Sequence, residues 1–194
     1  MRKLLGAFTL LIAVASTPVS AAQASAAAAY VEKLGNDVLT TISDKSIPQE
    51  KKLGLIEGMF RSNVDFDWVG KFVMGRFWRE ATDDQKKRYL EAYRNFLTKH
   101  YTARFSEYTS GSFKITSAKE LEKGDSEVSM EIMSGAAGDP PVVIDYKIRK
   151  VGGNYKVYDI TVEGVSLITT QRQEFGSVLN DKGIEGLISS LNSK

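Results

Sequence analysis

At Gly111 the spacing of apolar residues changes from three-and-four to two, and that change restricts the chain to a mixed fold. Upstream, between Asp83 and Tyr108, the apolar positions are Tyr89, Leu90, Tyr93, Phe96, Leu97, Tyr101, Phe105 and Tyr108. Recurrence at three and four puts them on one side of a long helix. Downstream, Phe113 and Ile115 alternate with Lys114 and Thr116, and Val128, Met130 and Ile132 with Glu127, Ser129 and Glu131. Val142, Ile144, Tyr146 and Ile148 alternate with Val143, Asp145, Lys147 and Arg149, and Tyr158, Ile160 and Val162 with Asp159 and Thr161. Such runs predict strands with one apolar face. Lys123-Gly124-Asp125, Gly135 to Pro141 and Gly152-Gly153-Asn154 separate them, so successive strands are expected to return antiparallel.

Helices account for the rest. Tyr30, Leu34, Val38 and Ile42 form a stripe within Ser25 to Ser43. Pro48 opens a second helix running to about Val64, and Asp65-Phe66-Asp67-Trp68 starts a third that stops at Gly75. Thr82-Asp83-Asp84-Gln85 has the form of a capping box for the long helix. Gly164-Val165-Ser166 is an uncharged hinge between the last strand and a helix, with Ser166 as its N-cap. Gly183 ends that helix, and Ile184 to Leu191 forms a short last one. The expected architecture is α+β, a helical layer wrapped over one face of a four-stranded, or slightly larger, antiparallel sheet.

The N-terminus reads differently. Arg2 and Lys3 precede a 12-residue apolar run, Leu4 to Ala15, and then small residues with several small-x-Ala sites. This predicts a cleaved signal peptide over 1–24 and a single domain over 25–194. Losing Arg2 and Lys3 takes the basic count from 26 to 24, equal to the 24 acidic residues. A neutral mature chain argues against a nucleic-acid binder, which needs a basic field. Export without a single cysteine fits a bacterial periplasm.

Reactive chemistry is sparse. His100 is the only histidine and there is no cysteine, so a His-based metal site or a Ser–His triad has little to work with. Asp65 and Asp67 read as helix-start residues, and Gly70 to Gly75 is followed by Arg76-Phe77, so no phosphate-cradling loop is present. By strand parity Asp145 and Asp159 should both face solvent. Lys71, Arg76, Arg79, Lys86, Lys87 and Arg88 form a basic neighbourhood that could meet an acidic partner or simply be solvated. What remains is apolar and aromatic surface. A filled core and a hollow one need the same side chains. If hollow, candidate lining residues are Tyr93, Phe96, Leu97, Phe105, Ile148, Tyr158, Ile160 and Ile168.

"VEGVSLITTQRQEFGSVLNDKGIEGLI", Val162 to Ile188, resembles the signature of the MlaC/Ttg2-type (toluene tolerance) family of periplasmic phospholipid-binding proteins. "YKVYD" from Tyr155, "PPVVIDYKIRK" from Pro140 and "VMGRFWREATDDQKKRYLEAYRNFL" from Val73 resemble it too. The resemblance implies an NTF2-like cone with a lipid cavity, in a monomeric carrier with no enzymatic activity, no cofactor and no metal. Its cargo would be phospholipid, with acyl chains inside and head group outside. Implied partners are an inner-membrane MCE-domain protein of an ABC transporter and an outer-membrane lipoprotein–porin complex, in a system that maintains outer-membrane lipid asymmetry. Tyr101, Val142, Ile144, Tyr146 and Val165 fall where the family lines its cavity, and Val143 where relatives can carry a basic residue. Two rivals stand beside this reading: an NTF2-like enzyme acting on a small hydrophobic molecule, and a periplasmic adaptor with a filled core.

Overall fold

The computed structural model describes residues 19–105, 111–134 and 140–193. Five helices come first: α1 (Val19–Ser43), α2 (Gln49–Asn63), α3 (Phe66–Met74), α4 (Phe77–Glu80) and α5 (Asp83–Phe105). Strands β1 (Gly111–Glu120), β2 (Ser126–Ser134), β3 (Val142–Val151), β4 (Asn154–Val162) and β5 (Val165–Ser166) follow, and α6 (Leu167–Asn192) closes the chain. The strands form one antiparallel sheet in sequence order. The α+β expectation holds. The sheet gains a fifth, two-residue strand at the expected hinge, and α4 fills a stretch for which no helix was expected.

Local signals act as the residue types dictate. Gln85 N–H donates to Thr82 Oγ1 at 3.2 Å and Thr82 N–H to Gln85 Oε1 at 3.0 Å, a complete capping box at α5. Asp65 Oδ1 accepts from Trp68 N–H at 3.2 Å and caps α3. Ser166 Oγ accepts from Thr169 N–H at 3.2 Å and caps α6. Gly183 (φ 66°, ψ −171°) leaves helical geometry and divides α6 into a longer helix and a short last one, as expected. α1 begins at Val19, inside the segment expected to be removed as a signal.

Strand register sets which side chains share a face. Ile115, Met130, Ile144, Val162 and Val165 are paired in one transverse row across all five strands. Ala118, Val128, Tyr146 and Ile160 form the next row, and Phe113, Ile132 and Val142 the row on the other side. One sheet face is therefore continuously apolar.

Two sequence expectations fail on β4, for different reasons. Its pairing steps from Lys147–Asp159 to Ile148–Val157, so Tyr158 is an extra, bulged residue. The bulge reverses the parity. Tyr158 leaves the apolar face and stacks against Trp68 (5.0 Å) and the Arg149 guanidinium (4.3 Å) on the other side. Asp159 keeps the polar-face phase it shares with Lys147, but the start of α6 covers it there and leaves it 4% exposed.

Two apolar cores result. Tyr89, Tyr93 and Leu97 of α5 pack with α3 and with Phe175, Leu179 and Leu187 of α6. Here Gly70 brings α3 close to α5, and a Cβ there would lie 2.6 Å from Leu90 Cδ2. The second core lies between α1 and the sheet: Ala27, Val31, Val128, Met130 and Ile148. The layer over the sheet face is thus α1, while α5 packs on α6, α2 and α3.

Candidate functional site

Among the described residues, part of the apolar sheet face lies outside both cores. Val142, Ile144, Ile160, Val162 and Val165 belong to neither core. Along their row, exposure rises away from α1: Met130 is 3% exposed, Ile144 and Val162 are half-buried, and Val165 is 57% exposed. Val142, beside that row, is 41% exposed. Adjacent exposed apolar side chains on one face mark a binding surface more readily than scattered ones do.

The row ends at Val165, where the chain enters α6 and borders a cleft. This cleft lies between the last turns of α5 and the first turns of α6 and has a volume of about 580 Å³. Phe96, Tyr101 and Leu167 supply apolar wall, and Lys99, His100, Thr170, Gln171 and Glu174 supply polar wall. The His100 ring stacks on Phe96 (5.6 Å) and meets Tyr101 edge-on (5.2 Å). Gln171 is buried and joins cleft to core. Its Oε1 accepts from the Tyr93 hydroxyl at 2.6 Å, and its Nε2 donates to the Tyr101 hydroxyl at 3.2 Å. Burial pushes the Tyr93 phenol well above its ordinary pKa, so it stays a neutral donor.

The first turn of α6 is fastened to the sheet's polar face. Asp159 accepts from the Ser166 hydroxyl at 2.9 Å and from Ile168 N–H at 3.4 Å, with Lys147 Nζ also at 3.4 Å. A carboxylate at a helix N-terminus is favourably placed against the helix dipole. One turn later Arg172 donates to the Phe72 carbonyl at 2.9 Å and lies over the Phe72 ring at 4.7 Å. Phe72 stacks on Trp68, which meets the same Arg149 that covers Tyr158. Burial raises the Tyr158 phenol to about 12.

The thirteen residues expected to line a hollow are distributed among several environments. Val142, Ile144, Ile160 and Val165 share the uncovered face. Phe96 and Tyr101 line the cleft. Tyr146 is half-buried beside the core under α1, with its phenol raised to about 12 by burial, and Ile148 is fully within that core. Tyr93 and Leu97 are buried in the helical core, and Ile168 packs against it. Tyr158 is on the opposite face. The Phe105 side chain and Tyr108 lie outside the described residues. Lys99, His100, Leu167, Thr170, Gln171 and Glu174 were not expected in the lining. Gln171 had a signal: it falls in the spacing of Ile168, Phe175 and Leu179, a polar residue at a core position of α6. Among the described residues no cluster suited to a metal ion occurs, and no helix is long and apolar enough to cross a membrane.

Known proteins resemble this chain in sequence and fold. Residues 32–193 match the family described as MlaC protein. A Haemophilus influenzae protein named intermembrane phospholipid transport system binding protein MlaC is 26% identical over 133 residues, 66% of this chain and 61% of the relative. The match thus spans under two thirds of that relative's length. The toluene tolerance protein ttg2D of Pseudomonas putida is 27% identical over 93% of this chain and 81% of its own. Among solved structures, a phospholipid-binding protein from Ralstonia solanacearum, in complex with a phospholipid, superposes with a TM-score of 0.74 at 26% identity. That superposition covers 86% of this chain and 95% of the other. With most of its length matched, this chain belongs to the MlaC protein family.

Proposed function

We propose that this protein is a periplasmic phospholipid carrier that holds acyl chains against the uncovered half of its sheet face. The observation that carries the reading is the set of five apolar side chains, Val142, Ile144, Ile160, Val162 and Val165, aligned on one face and packed into neither core. A lipid leaving a bilayer gives up ~0.8 kcal/mol for each methylene exposed, about 12 kcal/mol for a 16-carbon chain. A carrier must replace most of that contact, and a continuous apolar face next to half-buried helix side chains is suited to do so. The bound phospholipid of the Ralstonia protein supports the same cargo here.

In this reading residues 1–24 direct export and the remaining chain is the carrier domain. It exchanges lipid with an MCE-domain protein of an inner-membrane ABC transporter and with an outer-membrane lipoprotein–porin complex, and it performs no reaction. The hinge at Val165–Ser166 is where α6 separates from the sheet during loading, so Val165→Glu should lower lipid occupancy. The direct test is solvent extraction of the purified protein followed by lipid mass analysis. One phospholipid-sized species, chemically intact, is expected. Protein that carries none, even after incubation with vesicles, would refute the carrier, and altered lipid would point to an enzyme.

A further inference from the structure

We propose that the cleft between α5 and α6 is a subsite for a zwitterionic phosphoester head group, with Lys99 and His100 at its phosphate and Glu174 at its ammonium. The assignment rests on the carrier reading and adds selectivity to it. Position comes first. Val165 ends the apolar row, Ser166 is extended (φ −71°, ψ 124°), and Leu167 lines the cleft. The cleft wall thus begins two residues after the end of the row, so a lipid whose tails lie on the row brings its polar end to the cleft. At about 580 Å³ the cleft is within the usual range for small-ligand pockets, roughly 300–1,000 Å³.

Charge comes second. Lys99 and Glu174 stand on opposite walls, and among the described residues neither makes an ion pair or hydrogen bond. Nearby cations are already used: Arg94 bonds Asp67, and Arg172 bonds the Phe72 carbonyl. A rim with an uncommitted cation and an uncommitted carboxylate complements a ligand carrying both signs. An anionic head group without an amine would gain Lys99 but be opposed by Glu174. Complementarity of this kind acts on selectivity more than on total affinity, which leaves tail contact as the main source of binding.

The test uses delipidated full-length mature protein and vesicles of phosphatidylethanolamine and phosphatidylglycerol in equal amounts with identical acyl chains. Bound lipid is quantified by mass spectrometry as the ethanolamine-to-glycerol ratio, which can be read at any occupancy. Wild type should favour the ethanolamine lipid. Glu174→Lys should lower the ratio about tenfold, the scale of one charged hydrogen bond, and Glu174→Gln should lower it less. Lys99→Glu should raise it. Lys87→Glu, on an exposed part of α5 away from the cleft, should leave it unchanged. A ratio unmoved by all changes at positions 99 and 174, or moved equally by Lys87→Glu, overturns the subsite while leaving the carrier intact. Tail-free glycerophosphoethanolamine at millimolar concentration should not compete. If it does, the cleft takes free phosphoesters and the lipid assignment fails. A wild type that takes up neither lipid removes the carrier reading itself, and the subsite with it.

Discussion

Ile144→Glu tests the uncovered face most directly. Ile144 is the middle of the row, paired with Met130 on one side and Val162 on the other. It is half-buried in the free protein, so a carboxylate there can reach water until a tail covers it. Interrupting tail contact over about four methylenes costs ~3 kcal/mol, roughly a 150-fold loss of affinity. Covering an unpaired carboxylate adds several kcal/mol more. The matched control is Val143→Lys. It lies one residue away on the other face, opposite Glu131 and beside Glu163, whose carboxylate accepts from Val143 N–H at 2.6 Å. A charge there has partners and no tail to meet. Lipid occupancy by native mass spectrometry after vesicle incubation should fall to near zero for Ile144→Glu and match wild type for Val143→Lys. Thermal unfolding of both variants checks that the loss does not reflect a collapsed fold. Full occupancy in a folded Ile144→Glu protein, or equal loss in both variants, would show that strand parity does not decide where lipid goes.

Tyr93→Phe should destabilise the protein by about 1–3 kcal/mol in urea unfolding, because Gln171 Oε1 loses its 2.6 Å donor inside the fold. Gly70→Ala forces the half-exposed Leu90 side chain to turn away, which offsets the roughly 1 kcal/mol that Ala gains over Gly inside a helix, so stability should change by less than about 1 kcal/mol; with Leu90→Ala also present the gain should appear, read as a non-additive double-mutant cycle. Glu185 is held down to about 2, from an ordinary 4.5, first by its hydrogen bond from Arg88 and then by Gln85. Its folded pKa is depressed, so the stability it contributes is full above about 4.5 and is lost as pH falls toward 2. Glu185→Gln should therefore lack that part of the acid-side loss, and a difference between variant and wild type that stays constant from pH 6 to 2 would contradict the sign.

Much of the frame was legible from local chemistry. The capping box at Thr82 and Gln85, the Asp65 and Ser166 caps and the alternation in β1 to β3 need only neighbouring residues, and each formed as its sequence required. Tertiary structure decided what those elements face. Alternation assigns a side chain to one of two sides, but a bulge moves Tyr158 to the other side of β4, and the start of α6 covers Asp159 on the side that alternation had assigned to solvent. An aromatic stripe on α5 is equally compatible with packing on a sheet or on other helices; it packs on α6, α2 and α3, so Tyr93 and Leu97 are core. The uncovered face has the same physical origin. Whether Ile144 and Val162 are packed or left open depends on how far α1 reaches across the sheet, a distance between elements remote in sequence. Apolar identity alone carries no information about that distance.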